Sequence, residues 1–133
     1  MSPRAIANFC AIPTALFLLL IGILHSIVNV SGMRRAIARG DIAARLGNTV
    51  LANAAFSGVA LSILGIVVLL MLPGLRDGSR QAARVASVIG IIIAIVGAGG
   101  FLWRPTEPAV LIFLVFGALL AAPLLIWRRE FRA

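Results

Sequence analysis

The sequence predicts an all-α integral membrane protein: one domain, residues 1–133, folded as a four-transmembrane-helix bundle with short loops except for a basic 33–47 connection. Three observations carry this reading. Of the 133 residues, 62% are hydrophobic and only 12% charged, and the mean hydropathy is +1.12. An ordinary soluble domain is nearer half apolar and a quarter charged, and a water-soluble globule this small could not hide so much apolar surface. The apolar residues fall in four runs, roughly 10–31, 48–73, 83–103 and 108–127, with no charged side chain deep inside any of them. Each has about the 20 residues that a helix needs to cross hydrocarbon. The runs also lack the alternation, over about 10 residues, of barrel strands. The same composition excludes disorder, collagen and a disulfide scaffold.

Taken in order, the first run carries Pro13, expected in its first turn, where a missing N–H costs nothing. Arg4 before an apolar core has the pattern of a signal sequence, read here as a retained signal anchor. Cys10 is the lone cysteine, expected to pack. In the 33–47 connection Arg34, Arg35, Arg39 and Arg45 interleave with Ile37, Ile42 and Leu46. That pattern admits a short helix in the headgroup plane, an extension of the first helix into water, or a solvated basic loop. Pro73-Gly74 is expected to end the second run, and Asp77-Gly78-Ser79 to form a polar turn with Ser79 capping the third. Arg104-Pro105-Thr106-Glu107-Pro108 reads as a tight connection, with Thr106 as N-cap of the fourth helix and Glu107 favoured by its dipole. Pro123 should bend that helix and free the carbonyl of Leu119.

Lipid tails do not drive helices together, so packing is sought in small and polar residues. The third run repeats Ala82, Ala86, Gly90, Ala94 and Ala98 at every fourth position, the second has Ala54, Gly58 and Ser62, and the fourth has Gly117 and Ala121. These stripes suit packing between neighbouring helices. The Ala86/Gly90/Ala94 and Gly58 faces also suit a homo-oligomer or docking into a larger membrane complex. Ser62 and Ser87 are expected to bond their own backbone.

All twelve basic residues are arginine, against four acids, for a net charge of +8. In a soluble protein this balance would suggest nucleic acid. Here the arginines sit at the ends of apolar runs, where they anchor to lipid headgroups, so no nucleic-acid partner is expected. Arginine without lysine hints at a GC-rich, bacterial coding sequence. Four spans put Arg4, Arg76, Arg80, Arg84, Arg128, Arg129 and Arg132 on one side and Arg34, Arg35, Arg39, Arg45 and Arg104 on the other. Seven against five favours cytoplasmic termini in an inner, multi-pass cell-membrane location and leaves dual insertion open.

Polar residues within spans are the default pointer to function. His25 and Asn29 lie one turn apart on the first helix, and Thr49, Asn53 and Ser57 share a face of the second. In a hairpin built on the run ends, His25 and Asn53 are expected at one level, about 8–10 Å from the surface. Trp103, Arg104 and Glu107 would lie above them as a lid, and the other helix ends carry no comparable polar set. The candidate ligand-binding residues are therefore His25, Asn29, Asn53, Ser57, Trp103, Arg104 and Glu107. One histidine without an intramembrane carboxylate suggests no metal or cofactor.

Three functions follow, in this order. The chain binds a hydrophobic, lipid-like ligand or serves as an accessory subunit. Alternatively it is a small membrane enzyme with His25 as acid or base, oriented by Asn29 and Asn53. The third reading is a dimeric transporter coupled to protonation of His25. Cross-helix hydrogen bonding alone, at about 0.6 kcal/mol per bond, would also account for the polar cluster.

Overall fold

A computed structural model describes residues 2–107 and 110–131. The chain is all-helical, as expected: α1 Pro3–Ala38, α2 Ala44–Asp77, α3 Arg80–Trp103 and α4 Leu111–Ile126, followed by a 3-10 turn at Arg128–Glu130. Helices α1, α2 and α3 are long and apolar enough to cross a membrane. At 16 residues α4 is shorter than the expected 108–127 span, with a length of about 24 Å at the helical rise. Pro108, at the expected start, lies outside the described residues.

The helix ends depart from expectation in instructive ways. Pro3, rather than Pro13, occupies the first turn of α1, and Ser2 caps it by accepting from the Ala5 N–H at 3.2 Å. Pro13 and Pro73 both lie inside helices. A proline interrupts only one hydrogen bond, and neighbouring helices in a membrane tolerate the loss. Helix α2 therefore runs past Pro73-Gly74 to Asp77. Both long helices stop where a glycine adopts the left-handed conformation, Gly40 at φ +80 and Gly78 at φ +82. Around each, the following amide reaches back five residues, Asp41 N–H to the Ala36 carbonyl and Ser79 N–H to the Gly74 carbonyl, which satisfies the last free carbonyls. Of the readings for 33–47, the extension of α1 is the one observed: Arg34 and Arg35 are helical and Arg45 belongs to α2. Ser79 caps α3 as expected, accepting from Ala82 N–H at 3.4 Å. Thr106 caps no helix among the described residues; Val110 precedes α4 without a side-chain cap, and Glu107 is engaged by Arg104.

The chain forms two compact units, residues 17–66 and residues 1–16 with 67–133. In the first, α1 and α2 form an antiparallel hairpin that is closest at four small residues. A Cβ on Gly22 would strike Ser62 Oγ and the Gly58 carbonyl, and one on Gly58 would strike Ser26 Oγ and the Gly22 carbonyl. Ser26 donates to the Ala55 carbonyl at 3.2 Å, and Ser62 to its own Gly58 carbonyl at 3.1 Å. Gly47 faces Ile37 near the connection.

In the second unit α3 and α4 pack antiparallel, Gly90 facing Gly117 and Ala121, Gly97 facing Leu114, and Gly100 facing Val110. The start of α1 is tied to α4 by Thr14, whose hydroxyl bonds the carbonyls of Cys10 at 3.0 Å and Phe116 at 3.3 Å. The core is small and aliphatic: Ala7, Ala11, Ala15, Leu75, Ala86, Leu120 and Leu124 are buried, as is Cys10. Ser87 bonds its own Ala83 carbonyl at 2.7 Å, as expected. Gly58 and the Ala86/Gly90 face are thus occupied by packing within the chain. Large apolar side chains such as Phe9, Phe56, Ile95 and Leu102 point outward, where lipid solvates them.

Candidate functional site

Of the polar residues in the 17–66 unit, His25 and Asn29 come together, with Asn29 Nδ2 and His25 Nε2 2.7 Å apart and both side chains half-buried. Asn53 and Ser57 are exposed and do not join them. Ser57 donates to the Ala54 carbonyl at 3.0 Å, and Asn53 has no side-chain partner among the described residues. The expected level of His25 and Asn53 needs correction. The contacts around Gly22 and Gly58 set His25 opposite residues 55–59 of α2 and Asn53 opposite residues 27–31 of α1, an offset of about 3–9 Å along the helix. Close approach of small residues, not the ends of the apolar runs, fixes the register. The sequence reading missed the Gly22-xxx-Ser26 half of this crossing, although its spacing matches Gly58-xxx-Ser62.

Trp103, Arg104 and Glu107 belong to the other unit, where they engage one another. Arg104 donates to Glu107 Oε1 at 3.0 Å, and its guanidinium lies 5.9 Å from the Trp103 ring centre. All three are exposed, Trp103 to 83%, so the ion pair contributes little stability. With Glu107 on it, Arg104 offers a partly neutralised group rather than a ready anion clamp.

A different place in this second unit has the shape of a binding site. Ser79 starts α3 so that Arg80, Arg84, Val88 and Ile91 fall along one helical face. Across from them, α4 ends at Ile126, and its following turn brings Arg128, Arg129 and Phe131 to the same end. Between the two lies an open cleft of about 690 Å³. Leu124 and Leu125 complete its aliphatic wall, and four arginines line it. Arg80, Arg84 and Arg128 are exposed and have no carboxylate partner among the described residues. Arginine stays charged at any accessible pH and presents a planar fork that matches phosphate and carboxylate oxygens. This overturns the expectation that no other helix end carries a polar set. Each arginine reads as a topology anchor in sequence, and only antiparallel pairing of α3 with α4 brings them to one mouth. The legible signal was Arg80 and Arg84 one turn apart, with the adjacent pair Arg128-Arg129.

Arg4 holds this mouth in place. Its guanidinium packs on Gly78 and donates twice to the Glu130 carbonyl, at 3.1 Å and 2.8 Å, while Phe131 is folded in to 2% exposure. Arg4→Gln is expected to lower the cost of opening the C-terminal turn by about 1 kcal/mol. Amide exchange at Phe131, whose N–H bonds the Arg128 carbonyl, should then accelerate about fivefold. Unchanged exchange there would show that Arg4 does not clamp the turn.

Comparison with protein-family models, with curated proteins and with solved structures finds no match to this chain.

Proposed function

We propose that this membrane protein binds a lipid-like amphiphile in the α3–α4 cleft. The observation that carries the proposal is a cleft of about 690 Å³ whose aliphatic wall ends at a rim of arginines. Its volume falls within the range of about 300–1,000 Å³ common to ligand pockets. The ligand's apolar part rests on Val88, Ile91, Leu124 and Leu125, and its polar part meets Arg80, Arg84 and Arg128. The reading sets this end at the cytoplasmic face of the inner membrane. Support comes from the excess of arginine among the residues assigned to that side.

The test is native mass spectrometry of the protein extracted from its own membrane. Wild type is expected to retain a reproducible amphiphile mass, and Val88→Trp, which fills the cleft from an exposed wall position, to lose it. His25→Ala and Asn53→Ala are expected to keep it. Bare wild-type protein, or loss of the adduct on His25→Ala with retention on Val88→Trp, would sink the proposal.

A further inference from the structure

We infer that the cleft selects amphiphiles whose headgroup is a phosphate with a net negative charge, an inference that rests on the amphiphile reading above. The mouth is strongly cationic: no carboxylate lines the cleft among the described residues, and Arg80, Arg84 and Arg128 have none as partner there. A zwitterionic or uncharged headgroup would bring these like charges no net countercharge, and no lining carboxylate among the described residues offsets their repulsion. One anion among them relieves it, and three guanidinium forks supply more donors than the two oxygens of a carboxylate can accept. A phosphate diester holds its two charged and two ester oxygens tetrahedrally, so guanidinium groups can approach it from more directions than a planar carboxylate.

Two features of the fold add to this preference. The first turn of α3, which opens at Arg80, contains no acidic residue, so the positive end of the helix dipole, capped by the neutral Ser79 hydroxyl, is not offset by a charge of its own. The turn carrying Arg128 is held by Arg4 on the Glu130 carbonyl, so that rim position is preorganised. The lipid, rather than a free phosphate, follows from the wall. Val88 and Leu125 are exposed next to the arginines, and an acyl chain covers them where a soluble anion would not.

The experiment uses the full chain, stripped of lipid in a neutral detergent and offered equal amounts of phosphatidylglycerol and phosphatidylcholine with the same acyl chains. Native mass spectrometry reads the bound ratio. Phosphatidylglycerol is expected to be retained about tenfold over phosphatidylcholine. The ratio should fall to about one in Arg84→Gln/Arg128→Gln and stay at the wild-type value in Arg35→Gln, which removes one charge from the other unit. If the double variant does not fold, Arg80→Gln gives the same reading, with the ratio falling about threefold. Equal retention of both lipids by wild type, with both lost in Val88→Trp, overturns the headgroup inference and leaves amphiphile binding intact. Retention of neither lipid overturns both. Oleate retained as well as phosphatidylglycerol assigns the selectivity to charge alone and overturns the phosphate class. Inorganic phosphate bound through Arg84 and Arg128, without lipid, overturns the lipid source.

Discussion

Replacing Gly58 with valine is expected to destabilise the α1–α2 hairpin by about 2–3 kcal/mol. A Cβ at this position would meet the Gly22 carbonyl, Ser26 Oγ and, at 2.7 Å, the Ser26 backbone nitrogen. Two of these three atoms are backbone, so no rotamer change relieves the clash and the helices must separate. Separation also removes the contact made by Gly22 on α2, because the two glycines lie against each other's carbonyls. The sign of the smaller change is informative. Alanine is a better helix former than glycine by about 1 kcal/mol, so Gly58→Ala would stabilise the protein if packing did not oppose it. Packing is expected to win, and Gly58→Ala to lower stability. Gly32, on the same unit of α1, has nothing within 4 Å of a built Cβ, and Gly32→Ala should leave stability unchanged or raise it by up to about 1 kcal/mol. Reversible unfolding in bicelles, followed by steric trapping, measures both. Shifts of Gly58→Ala and Gly32→Ala in the same direction would show that the crossing is not what holds the hairpin.

The contrast between these glycines marks where sequence reasoning ends. Composition and run length identify the four helices, because hydrocarbon imposes a fixed thickness and punishes charge. Local rules identify the Ser79 cap and the back-bonded hydroxyls of Ser62 and Ser87, since these interactions reach only three or four residues. The helix ends were harder. Residues beyond the apolar runs, such as Ala36-Ile37-Ala38, continue a helix as readily as residues within them, and the halt comes from Gly40 and Gly78 rather than from polarity. The proposed His25–Asn53 level failed for a related reason: apolar runs have soft ends, whereas Gly22 against Gly58 is a fixed point. The arginine cleft needed tertiary pairing, because its residues lie about forty positions apart. One buried atom has no account at any of these levels: Asn8, 8% exposed, donates to the Arg4 carbonyl at 3.0 Å while its Oδ1 has no partner among the described residues.

A valine at Gly117 is expected to cost a further 2–3 kcal/mol in the other unit, and with it amphiphile binding. Here too the obstruction is backbone: a Cβ on Gly117 would meet the Ala94 nitrogen, the Gly90 carbonyl at 2.6 Å and the Ala94 Cα at 2.8 Å. Gly90 makes the reciprocal approach to the Ala121 nitrogen at 2.8 Å and the Gly117 carbonyl at 2.9 Å. Glycine at both positions lets α3 and α4 lie backbone to backbone, the arrangement favoured when lipid supplies no hydrophobic drive. The cleft is built on this pairing, since Arg80 and Arg84 lie about two to three turns and Val88 about half a turn before Gly90, and Leu124, Leu125 and Arg128 lie about two to three turns after Gly117. Spreading the helices at Gly117 therefore moves the wall bearing Val88 away from the wall bearing Leu124. Gly99→Ala is the matched control, with nothing within 4 Å of its Cβ, and should preserve both stability and the bound lipid. Val88→Trp completes the comparison, expected to lose lipid while unfolding within about 0.5 kcal/mol of wild type, as changes at exposed positions usually do. If Gly117→Val unfolds easily yet still carries lipid in native mass spectra, the α3–α4 pairing does not form the binding site.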